Sequence, residues 1–112
     1  MKMIVAIIKP SRLDAVLDGV TEAGASGLTV TEVRGYGRQK GKTEVYRGAS
    51  VTVDFVAKSK LEILVSDGDV KRITDVIVAS ANTGSIGDGK IWVTAVEEVI
   101  RVRTSERGDA AI

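Results

Sequence analysis

The opening residues alternate as an extended chain. Met3, Val5 and Ile7 share one side, and Ile4, Ala6 and Ile8 share the other. The pattern predicts a strand over residues 1–9 that is apolar on both faces and wants cover on both. Pro10 ends it. Ser11 stands where a helix N-cap would, with Asp14 three residues on as an imperfect capping box. Leu13, Val16, Leu17 and Val20 follow at helical spacing, fading at Ala23 and Gly24, with Gly27 closing the turn. Leu28–Val33 alternates as a second strand. Residues 35–50 are charged, glycine-rich and poor in apolar positions, which predicts a long exposed loop. Val51–Phe55 then forms a hairpin arm leading into a third strand near Lys60–Val65. Asp67–Asp69 reads as a turn and N-cap, and Val70, Ile73, Ile77 and Ala81 make a second helical stripe. Residues 82–90 form another glycine-rich loop. Ile91–Val102 reads as one long final strand, followed from Thr104 by a polar tail.

This order is strand, helix, strand, strand, helix, strand. Two right-handed crossovers around a central hairpin put both helices on one face of an antiparallel sheet. The expected fold is therefore α+β, a ferredoxin-like βαββαβ sandwich. Its other sheet face still carries apolar residues that must leave water, so the pattern predicts a homo-oligomer with the sheets packed inward. A cyclic dimer and a trimer fit equally well at this point.

Composition narrows the chemistry. The chain has 112 residues, enough for a single domain over 1–112. It contains no cysteine and no histidine, which excludes thiol catalysis, zinc–thiolate sites and the usual general base near neutral pH. A net charge of +1 argues against a dedicated nucleic-acid binder. The apolar start is cut off by Lys9 and Pro10 before a signal-peptide core is complete, and no membrane-length apolar run follows, so the reading is a cytoplasmic protein.

Three polar groupings stand out. In the first, Arg34, Arg38, Lys40 and Lys42 place four basic residues within nine positions among Gly35, Gly37 and Gly41. Such a segment is either an anion-binding loop or a solvated hairpin tip. The second, TGSIGDGK at 83–90, has Walker-like glycine spacing, but Ile91 stands where a magnesium-binding hydroxyl belongs and a strand follows. It is either an amide-lined phosphate cradle with Lys90 or a plain connection. The third is Arg101 and Arg103, which project together if the strand continues that far; the alternative is a solvated strand end. A strand from Lys90 to Arg101 would hold its ends roughly 35 Å apart. One polyphosphate could then meet both only between subunits, with Lys90 and the arginine pair from different chains. No carboxylate pair or nucleophile suggests catalysis, so the chain reads as a non-enzyme.

The segments GLTVTEVRGYGRQKGKTEVYRGA (27–49), VDFVAKSKLEI (53–63), NTGSIGDGKIWV (82–93) and VIRVRTSERGDAAI (99–112), with the opening MKMIVAIIKP, resemble the PII nitrogen-signalling family along nearly the whole chain. The resemblance implies a homotrimer of ferredoxin-like subunits. It implies an effector loop at about 37–55 that docks on partners, a second ligand loop at about 82–90 and a C-terminal ligand loop at about 101–108. It also implies ATP and ADP competing for clefts between subunits, and 2-oxoglutarate binding that depends on magnesium and ATP.

Carried over by position, the resemblance places Thr29 and Glu62 near the adenine, with Leu64 as apolar lining. Gly35, Gly37, Arg38, Gly87, Asp88, Gly89 and Lys90 fall on the phosphate side. Arg101 and Arg103 reach in from the neighbouring subunit. Gln39 joins magnesium, the ATP phosphates and the 2-oxo acid; Lys40 and Gly41 lie beside it, and Lys58 pairs with the distal carboxylate. Tyr46 and Arg47 fall on the partner-binding part of the loop.

Departures concentrate on partner-facing segments. Val51 occupies the position of the family's modifiable tyrosine, so uridylylation or adenylylation there is chemically impossible. Ser11, Lys42, Ala57, Asn82 and Ser85 are also unusual. The implied function is a non-enzymatic signal transducer acting on an ammonium transporter or nitrogen-metabolism enzymes, recruited to a membrane only through a transporter and with no direct nucleic-acid partner. The competing reading is a divergent PII-like adenine-nucleotide adaptor that ignores 2-oxoglutarate and regulates another transporter or a carbon-metabolism enzyme.

Overall fold

The computed structural model describes residues 1–36 and 55–112, together with the backbone of 43–46 and 49–52. In chain order the elements are β1 (Lys2–Ile8), α1 (Leu13–Glu22), β2 (Thr29–Gly35), β3 (Thr43–Tyr46), β4 (Ala49–Thr52), β5 (Val56–Val65), α2 (Val70–Ala81) and β6 (Gly89–Ala95). Four strands form one sheet in the order β2-β5-β1-β6, and each neighbouring pair is antiparallel. This is the expected ferredoxin-like α+β arrangement. Strands β3 and β4 pair separately as an antiparallel arm, Thr43 opposite Thr52 and Tyr46 opposite Ala49. The segment read as a featureless loop over 35–50 therefore contains strand.

The pleat assigns the two sheet faces. Ile4, Ala6 and Ile8 of β1 and Leu61, Ile63 and Val65 of β5 point toward the helices. They close a core with Val16 and Val20 of α1 and Ile73, Ile77 and Ala81 of α2. Both helical stripes identified from spacing are thus the buried ones. The helices approach closely at Gly19, where a Cβ would come within 2.8 Å of both Ser80 Oγ and Val76 Cγ1.

Each helix end is held by an arginine near the start of the other helix. Arg12 donates from Nε and Nη2 to the Ser80 carbonyl at 2.9 and 2.7 Å. Arg72 Nε donates to the Ala23 carbonyl at 3.0 Å. Terminal carbonyls lack intrahelical partners, and a cation also suits the negative end of the helix dipole.

Local corrections follow from backbone geometry. Pro10–Arg12 forms a 3-10 turn, so Ser11 lies inside it and Arg12 takes the N-cap position of α1 without a side-chain capping bond. The turn after α1 is made at Gly24, with φ +98°, and not at Gly27. Strand β5 starts at Val56, ahead of the expected Lys60.

The largest difference lies at the final strand. β6 stops at Ala95, which pairs with Lys2. The last bond to β1 runs from the Val96 N–H to the Met1 carbonyl at 3.1 Å. The ladder between β1 and β6 ends at the Lys2–Ala95 pair. The chain turns instead, buries Val99 and pairs Ile100 with Arg107 in an antiparallel bridge. The residues after Thr104 are not a free polar tail: Gly108–Ala111 forms a 3-10 turn with Ala111 buried. No helix among the described residues is long and apolar enough to cross a membrane.

Candidate functional site

The sheet face away from the helices carries Met3, Val5 and Ile7 beside Lys58, Lys60, Glu62 and Leu64. Thr29 lies opposite Glu62, and Met3 opposite Leu64. At this end of the face opens a cleft of about 420 Å³, lined by Met3, Ser26, Gly27, Leu28, Thr29, Glu62, Leu64, Arg101, Ala111 and Ile112. Its lining mixes apolar contacts from Met3, Leu28 and Leu64 with the Thr29 hydroxyl, the Glu62 carboxylate and the Arg101 guanidinium. That composition suits a flat, partly polar ring carrying an anionic group.

The C-terminal loop sets Arg101 in place. The Arg101 N–H donates to the Glu106 carbonyl at 2.9 Å, and the Ser105 N–H to the Arg101 carbonyl at 2.8 Å. Ser105 adopts a left-handed φ of 61° to make this turn. The guanidinium donates from Nη1 to Glu106 Oε1 at 2.8 Å and from Nη2 to the Ile112 backbone oxygen at 3.1 Å. Arg107 is paired with Glu98. Arg103 is exposed in the turn after Arg101 and does not line the cleft. The two arginines are therefore not same-side neighbours on a strand, as the alternation had suggested.

A second cluster forms at the other end of the same face. Lys9 Nζ donates to Thr83 Oγ1 at 3.1 Å and to Ser85 Oγ at 2.6 Å, and lies 3.2 Å from Asp88 Oδ1. Asp88 accepts from the N–H groups of Thr83 at 2.8 Å and Gly84 at 3.0 Å, and from the Thr83 hydroxyl at 2.5 Å. These Thr83 bonds hold the Asp88 carboxyl well below the usual carboxylate range, with Lys9 and the Gly84 N–H adding to the effect. Asp88 thus folds its own loop. Lys58 is buried and donates to the Gly87 carbonyl at 2.5 Å. Burial lowers its pKa from the ordinary lysine value, and Lys9 pushes the same way against a smaller opposing effect of Asp88.

The structure thus divides the expected site residues between two places. Thr29, Glu62, Leu64 and Arg101 meet in one cleft of one protomer. Gly35, Lys58, Gly87, Asp88, Gly89 and Lys90 gather at the opposite end, where Lys90 pairs with Ile7 and Gly35 with Val56. Four residues along β5 separate Lys58 from Glu62, about 13 Å at strand rise. Gly37, Arg38, Gln39, Lys40, Gly41 and Arg47 lie outside the described residues, and Tyr46 is described only as backbone of β3. Reading the sequence missed Lys9 as the organiser of the 82–88 loop, and missed Met3, Gly27, Ala111 and Ile112 as lining. Register was the available signal for Met3, since it shares its face with Leu64. Nothing in the local pattern announced the return of the C-terminal segment to the cleft.

Among the described residues no group of three or more acidic, histidine or cysteine side chains could hold a metal ion.

Comparison with known proteins identifies the family. A family model described as Nitrogen regulatory protein P-II matches residues 1–106. Over all 112 residues, and the whole of each relative, the chain is 55% identical to Nitrogen regulatory protein P-II of Azospirillum brasilense and 57% identical to that of Klebsiella oxytoca. Over the same span it is 57% identical to Nitrogen regulatory protein P-II 1 of Escherichia coli strain K12. With a match of this extent across the fold, both loops and the cleft, the chain belongs to the nitrogen regulatory protein P-II family.

Proposed function

We propose that this protein is a non-enzymatic signal transducer in nitrogen regulation that binds ATP or ADP between the subunits of a homotrimer. The observation that carries this reading is the division of the site. The cleft with Thr29, Glu62, Leu64 and Arg101 offers a place for a base and the start of a phosphate chain. The Gly87–Lys90 segment and Lys58 sit at the far end of the same sheet face. Sheet faces packed inward in a ring bring the cleft of one subunit against the far end of its neighbour.

The open face supports association. Trp92 is 45% exposed and lies opposite Val5 on that face, which also carries Met3, Ile7 and Leu64. Apolar area of this kind favours burial between copies.

In this reading magnesium rides on the ATP phosphates with Gln39, and 2-oxoglutarate joins it there, its distal carboxylate drawn to the Lys58 ammonium. Gln39 lies on the effector loop at about 37–55, and Lys58 lies beside it. A ligand that binds one loop conformation more tightly shifts the population toward it, and an ammonium transporter or nitrogen-metabolism enzyme that recognises that conformation reads the signal. The signal is thus sensed in the cytoplasm and carried to a membrane only when the partner resides there.

Calorimetric titration with ATP, with and without magnesium and 2-oxoglutarate, tests this function. The expected result is nucleotide binding alone and 2-oxoglutarate binding only with ATP and magnesium present. Nucleotide binding with no 2-oxoglutarate response would favour the adaptor reading. No nucleotide binding would exclude both.

A further inference from the structure

Arg101 is already engaged. Its Nη1 donates to Glu106 Oε1 at 2.8 Å, and its Nη2 to the Ile112 backbone oxygen at 3.1 Å. Backbone bonds hold the same loop closed independently of that ion pair, from the Arg101 N–H to the Glu106 carbonyl and from the Gly108 N–H to the Val99 carbonyl. The guanidinium lines the cleft while carrying a carboxylate from its own loop. The side chains of Arg101 and Glu106 are 37% and 44% exposed, so their pairing is screened and readily exchanged.

We propose that Glu106 is a resident competitor for Arg101, occupying the guanidinium edge that a nucleotide phosphate takes on binding, and so sets the nucleotide affinity of the cleft. This rests on the nucleotide-binding reading above. A carboxylate and a phosphate present the same kind of acceptor oxygens to a guanidinium, and one Nη1 edge does not serve both at full strength. Glu106 acts through Arg101 and not on the ligand: it holds the guanidinium edge until an arriving phosphate displaces it. The neighbouring Glu98 carboxylate is committed to Arg107 and takes no part.

The test is ATP titration of the full chain as wild type, Glu106→Gln and Glu98→Gln. Glutamine keeps the length and leaves the backbone bonds of the loop in place, but removes the competing charge. The proposal predicts that Glu106→Gln binds ATP about two- to fivefold more tightly, as expected for losing an exposed ion pair, while Glu98→Gln matches wild type. Unchanged or weaker binding by Glu106→Gln would overturn it, because a purely structural loop contact can only lose affinity when broken. Equal tightening in both variants would also overturn it, by showing a general charge effect. Failure of the wild type to bind ATP would instead remove the function on which the proposal stands.

Discussion

A side chain on Gly89 would collide with the backbone of Ile7: its Cβ would stand 1.7 Å from the Ile7 carbonyl oxygen. Gly89 opens β6 opposite Ile8 with φ +104°, a conformation that L side chains rarely adopt. The residue is thus fixed by the crossing of β6 onto β1, whatever it does for a ligand. Gly89→Ala should destabilise the fold by about 3 kcal/mol or more, from a disfavoured φ and a backbone clash together. Urea unfolding of the variant against wild type measures this. A change within experimental error would show that β6 can shift to admit the methyl group.

Asp88 gives a pH dependence with a definite sign. Its carboxyl is held below its ordinary value by Thr83 in the folded chain. A lowered folded pKa contributes stability that is fully present above the unfolded value, about 3.9 for Asp, and lost as pH falls through the folded value. The melting-temperature difference between wild type and Asp88→Asn should therefore be constant from neutral pH to about pH 5 and shrink below about pH 4. Thermal melts across that range check it. A difference that grows in acid would reverse the assignment.

Lys58 of β5 ties the sheet to the 82–90 loop. Its ammonium donates to the Gly87 carbonyl. Under the proposed function a 2-oxo acid competes with the Gly87 carbonyl for that ammonium, which would tie sensing to a rearrangement at Gly87. Lys58→Ala should abolish the 2-oxoglutarate response with ATP and magnesium present while retaining most of the ATP affinity. Calorimetry showing a wild-type 2-oxoglutarate titration would remove Lys58 from that role.

Much of the fold was legible because its signals are local. The Leu13, Val16, Leu17, Val20 spacing and the two-sided alternation of β1 each specify an element without help from distant residues. The end of β6 was not. Val96, Val99, Ile100 and Val102 continue an apolar pattern, but a strand needs a partner, and β1 begins at Lys2. Arg101 and Arg103 were misplaced for the same reason. Ala111 reads as part of a polar tail, yet it is buried, since tertiary contact and not local pattern brings it back. Lys9 read only as the last residue of the first strand; its reach to Thr83, Ser85 and Asp88 spans more than seventy residues of sequence.

The arginine pair remains a strong test of the cleft. Replacing Arg101 and Arg103 together by alanine removes the guanidinium that lines the cleft and the exposed charge beside it, which under the proposed function deprives phosphate of charge-assisted contact. ATP affinity should fall roughly a hundredfold, on the order of 2–3 kcal/mol. Fluorescence or calorimetric titration reads the loss directly. Unaltered affinity would place the phosphates elsewhere.

The most direct measurement of a site shared between subunits is complementation. Under the proposed function, Lys90→Ala and Arg101→Ala would each impair one half of every site in a uniform ring. When the two variants are co-expressed and purified as mixed assemblies, some interfaces combine an intact Lys90 side with an intact Arg101 side. The account predicts that mixed assemblies regain high-affinity ATP binding at a fraction of their sites, while each parent stays weak. Mixed assemblies that bind no better than the parents would contradict it.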